Sequence, residues 1–160
     1  MEHFKNFRTW SSLQITIITN FFENDCTVAN MDAKFGKTSI IGGLIAAGAL
    51  DGKHVLAISK SLLSARRVIQ WSKDWLNENT SFNALQFQLP NGGTGEGITQ
   101  SKRFFKRWPP DWILIDDADL IDRDFFLNLV IPYCQSHKVK VLILSTAPCV
   151  EVKLLKKCDD

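Results

Sequence analysis

Apolar and polar positions fall into blocks that switch between the two-residue period of a strand and the 3.6-residue period of a helix. Leu13 to Phe22 is apolar at 13, 15, 17, 18, 21 and 22. The 17/18/21/22 grouping predicts a helix despite the β-branched content, and Glu23-Asn24-Asp25 ends it. Cys26 to Asn30 predicts a strand. Thr38 to Leu50 predicts a mostly apolar helix whose small residues suit close packing on a sheet. After the Asp51-Gly52-Lys53 turn come a buried strand, His54 to Ser59, and an amphipathic helix, Ser61 to Leu76. A polar connector (77–83) leads to Ala84–Leu89, which alternates as a half-buried strand does, and then to a glycine-rich loop, Pro90 to Gly97. Trp112 to Ile115 and Val139 to Leu144 predict two more buried strands, with a helix from Asp122 to Cys134 between them. Alternating strands and helices predict an α/β fold with a mostly parallel β-sheet and helices on both faces. Ligands of such sheets bind beyond the carboxyl ends of the strands.

Three chemically loaded segments each follow a predicted buried strand. The first is Asp32-Ala33-Lys34-Phe35-Gly36-Lys37-Thr38-Ser39, a loop that closes on Gly-Lys-Thr and opens a helix. That layout suits a phosphate-binding loop: backbone N–H groups and the helix dipole face an anion, Lys37 reaches the β- and γ-phosphates, and the Thr38 hydroxyl holds Mg²⁺. Met31 stands where the full pattern has its first glycine, so an ordinary helix start is the competing explanation. The second segment is Asp116-Asp117, where the first acid would hold Mg²⁺ and the second would polarise an attacking water. A solvated turn with capping acids is the alternative. The third is Ser145-Thr146, two hydroxyls at a strand exit that could face a γ-phosphate or simply water.

Weaker signals surround these. Gln14 could read an adenine edge or lie on the surface, and Lys34 could be a cation for the γ-phosphate or an ordinary exposed lysine. Arg66 and Arg67, with Lys102, Arg103, Lys106 and Arg107 among Phe104, Phe105 and Trp108, could contact DNA phosphate and bases or form solvated faces.

Composition narrows the class. The 160 residues suit a single domain: a lead-in over 1–25, a core over 26–148 and a basic tail over 149–160. With 45% hydrophobic and 22% charged residues, wholesale disorder is excluded, and a net charge of +2 does not by itself imply a nucleic-acid binder. The four cysteines lack zinc-site or disulfide spacing. The N-terminus does not read as a signal peptide, and the longest apolar run, Ile40 to Leu50, is too short to span a bilayer. A soluble, intracellular protein without a membrane partner is expected.

With its motifs in this order, the chain resembles the N-terminal ATPase domain of viral terminase large subunits, the motors that package double-stranded DNA into procapsids. The resemblance runs from about Leu13 to Pro148 and implies a P-loop NTPase fold of the RecA/ASCE type that hydrolyses ATP to ADP and phosphate with Mg²⁺. In that family the phosphate loop typically lacks the first glycine, as NMDAKFGKT does here. By the same resemblance Lys37 and Lys34 serve the phosphates, Asp116 the metal and Asp117 the water. Gln14 would serve the adenine, and Ser145-Thr146-Ala147-Pro148 would couple hydrolysis to movement. The implied partners are double-stranded DNA, a portal, a small terminase subunit or separate nuclease domain, and further copies of the chain. Three departures stand out: Lys34 where arginine is common, Asp117 in place of the catalytic Glu, and an end before any nuclease domain. They leave two alternatives, a non-hydrolysing nucleotide-binding or assembly module derived from a terminase, and the first motor lobe of a superfamily 2 helicase-like ATPase.

Overall fold

A computed structural model describes residues 10–76, 81–100 and 109–147. Lys102, Arg103, Lys106, Arg107, Pro148 and the basic tail lie outside the described residues. The chain begins its described part with α1 (Ser12–Glu23), opened by a capping box in which Ser11 and Gln14 exchange side-chain and backbone hydrogen bonds. At the other end of α1 the Lys140 ammonium donates to the carbonyls of Phe21, Phe22 and Asn24 at 2.8–3.2 Å. A cation there faces the negative end of the helix dipole.

The remaining elements are β1 (Cys26–Asn30), α2 (Lys37–Leu50), β2 (His54–Ile58), α3 (Leu62–Leu76), β3 (Ser81–Phe82), β4 (Gln86–Gln88), β5 (Thr94–Ile98) and β6 (Trp112–Ile115), followed by a 3₁₀ turn at Ala118–Leu120. Then come α4 (Arg123–Phe125), a π turn (Phe126–Val130), α5 (Ile131–Ser136) and β7 (Lys140–Ser145). The seven strands form one sheet in the order β1-β7-β6-β2-β5-β4-β3. β1, β7, β6, β2 and β5 run parallel, whereas β4 and β3 join antiparallel at one edge.

Alternate residues of each parallel strand serve opposite faces, as the pleat requires. Trp112, Leu114, Leu142 and Leu144 pack with α1, α2 and α3 in one core. Ile113, Ile115, Val141 and Ile143 pack with the α4-to-α5 segment in the other. Helix α2 is buried from Ile40 through Ala49, which explains why its sequence is apolar all round rather than striped. No helix of the described residues is long and apolar enough to cross a membrane.

The structure departs from sequence expectation in three places. The predicted glycine-rich loop is half strand: Thr94–Ile98 is β5, paired in parallel with β2. Glycine has low strand propensity and no side chain to show a period, but here its neighbours demand it. A Cβ on Gly95 would lie 2.5 Å from the Ile45 side chain and 2.4 Å from the Phe87 ring, and one on Gly97 would lie 2.8 Å from the Ala65 carbonyl oxygen. Just upstream, a Cβ on Gly93 would come within 1.9 Å of the Ala49 carbonyl oxygen, which is backbone and cannot swing aside. Gly93→Ala is therefore expected to destabilise the fold by about 3 kcal/mol, lowering the melting temperature by roughly 6–12 °C. A melting point within about 2 °C of the wild type would show that β5 is not seated this tightly.

The second departure lies at the opposite edge of the glycine segment. The strand expected over Ala84–Leu89 shrinks to β4, and a two-residue strand, β3, appears in the expected connector. The third concerns the helix expected over Asp122–Cys134, which runs on to Ser136 but is broken by the π turn at Phe126–Val130. Pro132 has no N–H to donate and its ring crowds the carbonyl of residue 128, so the helix widens there.

Candidate functional site

The exits of β1, β7, β6 and β2 lie side by side, and each delivers part of one cluster. From β1 the chain enters the loop at Met31, whose side chain is 3% exposed and part of the core, so the residue in place of the first glycine anchors the loop. The Met31 N–H donates to the Ser145 carbonyl at 2.8 Å, fixing the loop against β7. Asp32, Ala33, Lys34 and Phe35 are exposed, with the Phe35 N–H closing a turn onto the Asp32 carbonyl. Gly36 has φ +79°, a left-handed conformation that suits glycine, and a Cβ there would lie 2.6 Å from the Gln14 Nε2.

Gln14 has a structural role. Its Nε2 donates to the Phe35 carbonyl at 3.2 Å and its Oε1 accepts from the Ser11 N–H at 2.9 Å, so the amide fastens α1 to the loop backbone. Lys37, Thr38 and Ser39 form the first turn of α2. Gly36 supplies no side-chain cap and the first turn holds no acid, so the helix start presents backbone N–H groups and positive potential to the cluster.

Lys37 is the hub. Its side chain is buried, and Nζ lies 2.7 Å from Thr146 Oγ1, 3.3 Å from the Met31 carbonyl and 3.2 Å from Asp117 Oδ1. Lys37 thus joins the exits of β1, β7 and β6 through one ammonium. The Ser145-Thr146 pair divides. Ser145 is the last residue of β7, fully buried, and donates to Asn30 Oδ1 at 2.6 Å. Thr146 is exposed at the exit, and its N–H donates to Asp119 Oδ1 at 2.9 Å.

The two adjacent acids have opposite electrostatics. Asp116 is 4% exposed, and its Oδ1 is buried with no hydrogen-bond partner among the described residues. Burial first, then the neighbouring Asp117 charge, pushes its carboxyl up to about 6 from an ordinary 3.8. At Asp117 partial burial raises the carboxyl, but hydrogen bonds from Lys60 and Lys37 outweigh it and hold the pKa below the usual carboxylate value. Asp117 is also the non-glycine residue at positive φ (+50°) among those described, a conformation that costs on the order of 1 kcal/mol.

The site residues that sequence alone does not bring forward are Lys60, whose Nζ is 2.9 Å from Asp117 Oδ2, Asp119 and Asn30. Ser59, buried with an Oγ that has no partner among the described residues, sits at the exit of β2. The only sequence signal for any of them is position, at or just beyond a strand end. Arg66 and Arg67 lie exposed on α3, and Lys34 is exposed on the loop.

An orphaned, buried carboxylate oxygen on Asp116, within reach of the Lys37 charge at the start of α2, fits a Mg²⁺ ion, which would offset the charge that burial disfavours. Among the described residues no cluster of three or more His, Cys, Asp or Glu could hold a metal. Mg²⁺ suits the smaller set, because it commonly binds through one or two protein oxygens together with substrate phosphates and water.

No protein-family model and no curated protein matches the sequence. Solved structures do. The HK97 bacteriophage large terminase superposes with a TM-score of 0.72 at 16% identity, over 88% of this chain and 33% of that one. The Thermus phage P74-26 large terminase ATPase domain superposes over 88% of this chain and 66% of that one. Its TM-score is 0.73 at 13% identity for an arginine-to-alanine mutant and 0.65 at 14% for the domain with no mutation named. The class is thereby defined by its architecture: a RecA-like α/β sheet flanked by helices. More narrowly, the fold is that of phage large-terminase ATPase domains, and the chain spans a third of the HK97 protein.

Proposed function

We propose that the chain is the ATP-binding and ATP-hydrolysing core of a viral DNA-packaging terminase motor, dependent on Mg²⁺. The observation that carries this is the meeting of Lys37, Thr146, Asp116 and Asp117 beside the uncapped start of α2, at the carboxyl ends of three strands. The α2 N–H groups and Lys37 bind the phosphates. Thr38 and Asp116 hold Mg²⁺, which when bound neutralises phosphate charge. Asp117 accepts a hydrogen bond from the attacking water. Lys34, exposed on the loop, supplies a second cation, and Gln14 orients the loop on the adenine side. Thr146 links the phosphate lysine to Asp119 and so to the turn after β6, a direct path for coupling; Ser145 supports it from within the sheet.

Double-stranded DNA is the proposed substrate of the motor, with Arg66, Arg67, Lys102, Arg103, Lys106 and Arg107 as contacts. Further copies of the chain, a portal, a small terminase subunit and a nuclease domain are the proposed partners. Calorimetry tests the core of the proposal: ATP is expected to bind in Mg²⁺ and at least about tenfold more weakly in EDTA, since the metal supplies charge-assisted contacts to phosphate. No heat of binding in Mg²⁺ would end the ATPase assignment.

A non-hydrolysing nucleotide-binding module is the second reading, favoured by one observation. Asp117 is a methylene shorter than glutamate, and both of its oxygens are engaged by lysines. Steady-state turnover with and without DNA separates the two. Turnover that appears only in Asp117→Glu would favour the module.

A further inference from the structure

The register of the sheet brings Lys60 to the cluster. Ile58 of β2 stands opposite Ile115 of β6, and the Asp116 N–H donates to the Ile58 carbonyl at 2.9 Å. Lys60 and Asp117 each come two residues after those partners, so parallel pairing carries both to the same edge of the sheet. There the two carboxylate oxygens are divided: Oδ1 lies 3.2 Å from Lys37 and Oδ2 lies 2.9 Å from Lys60.

The two lysines differ in what else they do. Lys37 is buried and meets Met31, Thr146 and Asp117. An ammonium has three donors, so a phosphate oxygen can be taken on only by releasing a present partner. Lys60 follows β2, which lies on the other side of β6 from β7, and it is exposed, whereas Lys37 is buried in the first turn of α2. A phosphate held by α2 therefore competes for Lys37 while leaving Lys60 in place. Asp117 also sits in a left-handed backbone conformation, which points its side chain unlike that of an ordinary strand residue and leaves its direction to its partners.

We propose that Lys60 is a positioning residue for Asp117: it anchors Oδ2 so that Oδ1, released when Lys37 turns to phosphate, faces the attacking water. This rests on the ATPase assignment above. In the step it serves, the water oxygen bonds to the γ-phosphorus as the bond to the β–γ bridging oxygen breaks. ADP leaves with that electron pair, and the water proton passes to Oδ1. Lys60 touches none of the reacting atoms and acts through Asp117 alone.

The test uses the whole chain and the variants Lys60→Met, Lys60→Arg, Asp117→Asn and the Lys60→Met/Asp117→Asn double variant. Mg-ATP affinity is read by calorimetry, and cleavage by single turnover with protein in excess. The Lys60 ammonium signal is followed by ¹⁵N NMR with Mg²⁺ and a non-hydrolysable ATP analogue. Lys60→Met is expected to keep affinity within about twofold and to lose about tenfold or more in cleavage rate, the pattern of lost orientation. Arginine restores most of the rate, and Lys60→Met adds nothing once Asp117→Asn is present. The ammonium signal persists when the analogue binds and is lost in Asp117→Asn.

A Lys60→Met variant that cleaves at the wild-type rate, or an ammonium signal unaffected by Asp117→Asn, overturns the role of Lys60 and leaves the ATPase assignment standing. A wild type that binds Mg-ATP and never cleaves it also overturns that role, while sparing nucleotide binding. A wild type that binds no Mg-ATP overturns both.

Discussion

Asp116→Asn is expected to raise the melting temperature of the chain measured without nucleotide, while abolishing Mg²⁺-dependent turnover. The carboxyl of Asp116 is pushed up to about 6 from an ordinary 3.8, mainly by burial, so the folded state favours its protonated form. The sign follows directly. Below the unfolded value both states hold the proton and the group costs nothing. As pH rises through this window the unfolded chain releases its proton first, and stability falls until the folded group has also ionised. Above that point the full penalty, about 3 kcal/mol, persists. Asparagine cannot ionise and is nearly isosteric, so at about pH 7.5 it should recover about 1–3 kcal/mol, or roughly 2–12 °C in melting temperature. At about pH 3, below the unfolded value, the two proteins should melt together. Added Mg-ATP should raise the melting point of the wild type and not of the variant. A variant less stable than the wild type at neutral pH would mean that Asp116 has a compensating partner, and the metal role would lose its physical basis.

Lys37→Met should act in the opposite sense on stability and most severely on binding. Methionine keeps the aliphatic stem and removes the ammonium that joins Met31, Thr146 and Asp117. Asp117 keeps Lys60, so the loss is that of a partly compensated, partly buried pair, about 1–3 kcal/mol. Mg-ATP affinity should fall about a hundredfold, equivalent to roughly 3 kcal/mol, because a charge-assisted contact to phosphate disappears. Circular dichroism about 20 °C below the wild-type melting point, a margin wider than the expected destabilisation, checks that the variant is folded. Unchanged affinity in a folded variant would show that the cluster is not the phosphate site.

Much of this molecule is visible in its sequence, and the reasons differ from element to element. β2, β6 and β7 show because apolar residues form runs where both faces of a parallel strand are covered. β1, half-buried at the sheet edge, shows by its β-branched Thr27 and Val28 after the polar Glu23-Asn24-Asp25. The Gly-Lys-Thr turn and the acid pair show because each is local, a few residues beyond such a run. β5 does not show, since its glycines are set by Ile45, Phe87 and Ala65, which are distant in sequence. Lys60 is hidden for a related reason: nothing near it in sequence reveals that β2 will lie beside β6. Ser145 and Thr146 look equivalent as neighbours, but β7 ends between them, so one is locked within the sheet against Asn30 and the other, just past the strand, meets Lys37. The π turn had a visible cause in Pro132, although its form depends on how the flanking helix packs.

The order β1-β7-β6 has one more consequence. A single strand separates the one that launches the Asp32–Lys37 loop from the one that ends in the acids. With strands about 4.8 Å apart, the two walls of the cluster stand roughly 10 Å from each other. That gap is a caliper whose jaws are set by backbone hydrogen bonds rather than by side chains, and Lys37 is long enough to reach across it. Changes in the exposed loop at Asp32–Phe35 can alter what enters the jaws but not how far apart they stand. Resizing the opening would require unzipping β7 from its neighbours, which is the core of the protein itself.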